Sequence, residues 1–212
     1  MCQAAWAEGW LKDTASGCEL REVYKGEGVG VAWSGKCKNG KASGAGTLKW
    51  LVNGEVLATE TGTWQDGQLE GEGRSDFNGQ GSVFEGTYRD GRPDGVGTFT
   101  FKNGSVYKGD VAKGGMSGNG TMNYHDGTFY TGGWKNGKPH GEGHHTFANG
   151  NVYEGAFVNG LQNGPGKFTY PGGVVFEGNF VDGQGEGNGV CRDKAGHRGA
   201  CIFKNGTFVK WK

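Results

Sequence analysis

The 212-residue chain predicts an all-β protein, an elongated single-layer antiparallel sheet of stacked β-hairpins, about eight in number. Three observations predict it. Phe84-Glu85-Gly86 recurs as Tyr107-Lys108-Gly109, Tyr130-Thr131-Gly132, Tyr153-Glu154-Gly155 and Phe176-Glu177-Gly178, a step of 23 residues each time. A second column (Tyr88, Val111, Trp134, Phe157, Phe180) and three glycine columns keep the same step. The 47 glycines are roughly three times average usage, and a disordered Gly-rich chain has no reason to hold five columns in register.

The elements follow in chain order. Residues 1–16 read as an N-terminal arm or a signal-peptide remnant, because Ala5-Trp6-Ala7 fits the small-x-small pattern before a signal-peptidase cut. Residues 17–190 carry the repeat sheet, divergent over 17–83 and regular over 84–190. Among the divergent copies, Trp33 to Cys37 with Gly40 and Gly44-x-Gly46 forms one, followed by a longer hairpin, "LKWLVNGEVLATE". In the next, Gly62-Thr63-Trp64 keeps the pattern, but Glu60 stands where the first aromatic belongs, and "FNGQGSV" has one extra residue. A regular repeat, Gly143 to Gly166, reads as strand "HHTF", turn, strand "VYEGAFV". Asn149-Gly150 supplies the expected type I′ turn, since both central residues there need positive φ. Asn159-Gly160 and Gly164-x-Gly166 then turn the chain back. Within the second strand, Tyr153, Gly155 and Phe157 share a face, so the glycine clears space for neighbouring rings to lie over the backbone. Residues 191–212 form a C-terminal capping hairpin in which Phe203 and Gly206 resume the step.

Composition narrows the function. Lys+Arg and Asp+Glu both number 22, so nothing recommends a nucleic-acid partner, which normally needs a basic stripe. Hydrophobic residues are 33%, and no apolar run approaches the ~20 residues of a membrane span. His140, Glu142, His144 and His145 suggest a metal site, but adjacent strand residues point to opposite faces and cannot share an ion. The serines lack any nucleophile-elbow context, and Glu85, Glu154 and Glu177 form a solvated column. We expect no catalytic residue, no metal and no cofactor. The candidate binding surface is aromatic: Tyr107, Tyr130, Trp134, Tyr153 and Phe157, because one sheet layer cannot cover both faces.

Two readings of the cysteines stand side by side. Cys18 with Cys37, and Cys191 with Cys201, pair as disulfides clamping the two ends, which implies an oxidising, periplasmic or secreted location. Alternatively they are free thiols of a cytoplasmic protein. A hairpin turning at Glu27-Gly28 sets Cys18 opposite Cys37. The second bridge needs a three-residue loop or a bulge, because a two-residue turn at Ala195-Gly196 sets 190, not 191, against 201. Cys2 has no assigned role.

The tyrosine-x-glycine-x-aromatic pattern followed by "KNGKPHGEG" (Lys135 to Gly143) resembles the MORN repeat, the membrane occupation and recognition nexus. The resemblance spans Phe84 to Gly189 and weakens toward the N-terminus. It implies a grooved, twisted β-sheet that serves as a scaffold, dimerisation module or lipid-associated platform. The expected function is a non-enzymatic, exported, bacterial scaffold that binds a protein partner or itself. The alternative is a binder of lipid headgroups or glycans through the aromatic groove.

Overall fold

The computed structural model describes residues 9–22, 24, 26–77 and 81–212. Among them lie eighteen strands and no helix. Ala5-Trp6-Ala7 and Cys2 lie outside the described residues. The chain divides into two compact units, one running to Gly104 and including Val111–Gly114, the other formed by Ser105–Asp110 with Gly115–Lys212.

The first unit holds β1 (Trp10–Lys12), β2 (Glu19–Arg21), β3 (Val29–Lys38), β4 (Lys41–Val52), β5 (Glu55–Gln65), β6 (Gln68–Phe77), β7 (Ser82–Arg89) and β8 (Arg92–Thr100). From β3 to β8 each strand pairs antiparallel with the next. β1 and β2 form a small hairpin laid against strand-turn ends, where Glu19 N–H donates to Gly40 O and Arg21 N–H to Gly67 O. β9 (Val106–Ala112) crosses the division between the units. The second unit continues with β10 (Gly115–Asn123), β11 (Phe129–Lys135), β12 (Lys138–Thr146), β13 (Val152–Val158), β14 (Leu161–Thr169), β15 (Val175–Val181), β16 (Gln184–Arg192), β17 (Arg198–Lys204) and β18 (Thr207–Trp211). These too pair in chain order, from β10 to β18.

The turns alternate between two kinds, and the tight kind is not where the sequence placed it. Thr146 and Val152 close the last rung between β12 and β13, leaving the five residues 147–151 to connect them. That is too many for a two-residue turn, so Phe147 N–H donates to Asn151 O and Gly150 N–H to Phe147 O, both at 2.9 Å. Asn149 has no positive φ. The type I′ geometry falls instead on Asn159-Gly160, with φ of 52° and 90°, and at the equivalent positions of the other repeats. Gly160 N–H then donates to Pro139 O at 2.8 Å, stitching one tight turn to the preceding one. The long hairpin at Leu48 to Glu60 turns the same way, at Asn53-Gly54.

A glycine row runs across the strands. Gly143, Gly155, Gly166, Gly178 and Gly189 lie in successive rungs of the second unit. A Cβ on Gly166 would stand 2.6 Å from the Tyr153 ring, and one on Gly155 would stand 2.6 Å from Gly166 Cα. The rings therefore lie on bare backbone. Beside each such ring the ladder slips, between Gly155 and Phe157 in β13 and between Gly132 and Trp134 in β11. A bulge leaves a carbonyl out of the ladder. Tyr153 O–H donates to Ala156 O at 3.0 Å, and Tyr130 O–H to Gly133 O at 2.9 Å. Ring, glycine and bulge are one device.

Both expected cysteine pairs lie within disulfide distance, with Cα separations of 5.6 Å for Cys18–Cys37 and 5.8 Å for Cys191–Cys201. The chain reaches them differently from expectation. No hairpin at Glu27-Gly28 sets Cys18 against Cys37, because β3 pairs with β4 and Cys18 arrives beside Cys37 on the segment leading into β2. At the other end Cys201 faces Gly189, and Cys191 sits diagonally from it across a five-residue loop, 193–197. Cross-strand diagonals remain close enough for such a bridge.

Candidate binding face

The five aromatic candidates are all on one face and all buried. Tyr107, Tyr130 and Tyr153 have no exposed surface, and Trp134 and Phe157 expose 5% and 2%. Trp134 meets both Tyr107 and Tyr130 edge-on at 5.2 Å between centroids, and Phe157 meets Tyr130 and Tyr153 at 5.1 and 5.2 Å. Two successive repeats thus each wedge one ring, Trp134 or Phe157, between two tyrosines, edge-to-face geometry that adds to the burial itself. Burial pushes the Tyr107, Tyr130 and Tyr153 phenols up to about 12, in keeping with hydroxyls that stay protonated and donate to backbone carbonyls. This inner row is occupied in holding the sheet together.

A second row is open. Next along the strands of the second unit come Met122, His145 and Phe168, then Tyr124, Phe147 and Tyr170. The last three are half-buried. Strand alternation puts them on the same face as the inner row, and ring contacts confirm it for His145, Phe147, Phe168 and Tyr170. His145 lies 4.1 Å from Phe147, Phe147 lies 5.9 Å from Phe168, and Phe168 lies 4.7 Å from Tyr170. Neither the Tyr124 nor the Tyr170 hydroxyl bonds to another group among the described residues. His145 Nε2 is buried without a hydrogen-bond partner. Burial pushes the His145 imidazole below its ordinary value, with His144 adding to the effect. The sequence carried the signal for this row, because Phe101, Tyr124, Phe147 and Tyr170 keep the 23-residue step. It went unread because these residues lie at the loop bases rather than in the tyrosine-x-glycine motif.

The other face is polar. His144 and Lys167 flank Glu154 at 4.0 and 3.2 Å, and Arg198 meets Glu177 at 3.1 Å. These exposed pairs contribute little stability each. The histidines that suggested a metal site separate as alternation requires, His144 to this face and His145 to the aromatic one. No group of three or more His, Cys, Asp or Glu among the described residues could hold a metal ion.

One polar cluster was not foreseen. Glu60, at the position where other repeats place a ring, is 7% exposed and sits beside buried Ser75. Ser75 Oγ donates to Glu60 Oε1 at 3.3 Å and lies 2.5 Å from the Tyr88 hydroxyl. The Trp50 indole N–H, which has no other acceptor, is directed at the same carboxyl from outside ideal hydrogen-bond geometry. Burial dominates and pushes the Glu60 carboxyl up to about 7. Burial and the nearby Glu60 charge also raise the Tyr24 phenol.

The fold and this face define a class: a hairpin-repeat β-protein that presents a patterned surface rather than an enclosed cleft. Within that class, the chain belongs to the MORN repeat family. The MORN repeat model matches residues 61–81, 84–106, 107–129, 130–152, 153–175 and 176–198, more than half of the chain. No curated protein matches it. Among solved structures it is similar to the SAS-4 (dCPAP) TCP domain of Drosophila melanogaster, in complex with a proline-rich motif of Ana2 (dSTIL). That similarity has 9% identity, 75% of this chain and 84% of the other covered, and a TM-score of 0.45. It is also similar to a single-residue variant of the TCP10 domain of Danio rerio CPAP, at 12% identity, 86% and 94% coverage and a TM-score of 0.26. At these scores neither likeness bears on function. No helix among the described residues is long and apolar enough to cross a membrane. The two cysteine pairs hint at an oxidising compartment.

Proposed function

We propose that the chain is a non-enzymatic MORN-repeat interaction module of a secreted or periplasmic protein, and that its open aromatic row receives a protein partner or a second copy of the chain. The observation carrying this reading is the division of labour between the two rows. The inner rings are fully committed to packing, whereas Tyr124, Phe147 and Tyr170 recur with the repeat, stay half-buried and keep two phenol hydroxyls without a hydrogen bond among the described residues. Aromatic residues with one apolar and one polar end are favoured at protein interfaces. Lipid-headgroup or glycan stacking on Tyr107, Tyr130, Trp134, Tyr153 and Phe157 would require rings that are buried, so no specific observation favours it.

Light scattering and chemical crosslinking of the oxidised chain, with and without the matching envelope fraction, test the reading. The expected outcome is a defined homo- or hetero-complex that is lost when Tyr124, Phe147 and Tyr170 are all changed to Ser. A strictly monomeric chain that crosslinks to nothing would overturn it.

A further inference from the structure

A turn position in the first unit breaks the pattern of the rest. Nine non-glycine residues adopt positive φ among the described residues. Eight are Asn or Asp, the residue types that tolerate this conformation, and the ninth is Lys113 at φ 51°. The fold asks for Asn or Asp there, as Asn136 and Asn159 show one and two repeats later. A lysine in its place is locally unfavourable, and such an outlier is a reason to look for what the side chain does.

Lys113 lines a concavity of about 260 Å³ together with Arg21, Arg89, Arg92, Asp90 and Asp94. Four cations thus share the site with two carboxylates. Asp94 is engaged internally, accepting from Arg89 Nη1 and from the Lys113 backbone N–H, both at 3.3 Å. Arg21 Nη1 donates to the neutral Gln68 amide oxygen at 2.9 Å, and Arg21 makes no ion pair within 4 Å among the described residues. The Arg89 side chain is 69% exposed. The repeat does not itself require a charge at Arg89, Arg92 or Lys113, since the equivalent positions in later repeats hold Val158, Leu161 and Asn159.

We propose that this concavity is an anion-recognition site that takes an acidic segment of a protein partner, with Arg89 and Lys113 on its carboxylates. The proposal rests on the interaction-module reading and names the chemistry of one partner surface. Arginine guanidinium groups match carboxylates with paired N–H donors, and a lysine adds a point charge. The two carboxylates in the site favour spaced, singly charged groups over a phosphate-dense surface, which they would repel. The volume falls below that of ordinary nucleotide-sized pockets. A net charge of zero gives the chain no long-range attraction to an anionic membrane.

Fluorescence anisotropy of a labelled hexaglutamate peptide against the full oxidised chain, with hexaglutamine as control, tests it. Hexaglutamate is expected to bind, hexaglutamine not, and affinity should fall steeply as salt screens the charges. Lys113→Asn should weaken binding at least about fivefold while leaving the unfolding midpoint unchanged or raising it, because the turn prefers Asn. Arg89→Gln should weaken it by a similar factor. Absence of hexaglutamate binding, or equal binding by the Lys113→Asn/Arg89→Gln variant, would overturn the proposal. So would Lys113-dependent sedimentation with phosphatidylserine vesicles in place of peptide binding. If the double variant forms the same crosslinked complex as the wild-type chain and binds hexaglutamate equally, the site fails and the module stands. If the wild-type chain forms no complex, the module reading itself fails.

Discussion

At the residue scale, the glycines separate into those that bear rings and those that do not. Gly166 would place a Cβ against the Tyr153 ring, whereas a Cβ on Gly30 in β3 would meet nothing within 4 Å. Gly166→Ala should therefore cost about 1–3 kcal/mol in denaturant unfolding. Gly30→Ala should be neutral or stabilising by up to about 1 kcal/mol, through the unfolded chain. Similar losses at both positions would refute the ring-over-glycine account. Glu60 gives a pH prediction. Its carboxyl rises from an ordinary 4.5 to about 7 on folding, so the folded state holds the proton more tightly. Its contribution is neutral below about pH 4.5, and stability then falls as pH rises through 7, by roughly 3 kcal/mol in total. Glu60→Gln should remove that slope, as chemical denaturation at pH 5 and pH 8 would show. A slope that persists in the variant would place its origin elsewhere. The aromatic-to-Glu replacement was legible in the sequence, but its burial was not. Burial depends on Trp50, Ser75 and Tyr88, which come from β4, β6 and β7.

At the element scale, the 23-residue step revealed the strands and their pairing partners, because side-chain alternation and turn chemistry are local. Loop lengths were less accessible. Asn149-Gly150 and Asn159-Gly160 look alike in sequence, and only the rung that closes each hairpin, Thr146 with Val152 or Val158 with Leu161, decides which is tight. The same ambiguity misplaced the approach to Cys37 and the offset at Cys191, although the partners themselves were legible from spacing. The open aromatic row was missed because its residues sit outside the motif. The bridges give a direct prediction: alkylation of the unreduced, denatured chain should leave four cysteines unmodified, as read by intact mass. Reduction should then destabilise the chain, with the Cys191–Cys201 closure, a separation of 10 residues, worth about 2–3 kcal/mol in the loop-entropy picture. Full alkylation without reductant would contradict both pairings and the oxidising compartment they hint at.

At the scale of the whole molecule, the repeat is the unit of both stability and presentation. The steps that begin at Tyr130 and Tyr153 each supply two inner rings, one bulge, one tight turn and one ring in the open row, and repeats of this kind draw their stability from neighbouring repeats. The most direct measurement is thermal unfolding, by far-UV circular dichroism, of a chain from which residues 130–152 have been excised, joining Phe129 to Tyr153 in register. A folded β-protein with a single cooperative transition, modestly lower in midpoint than the parent, is the predicted result. Loss of the strand signal or of cooperativity at all temperatures would contradict it, since interchangeable rungs tolerate the removal of one.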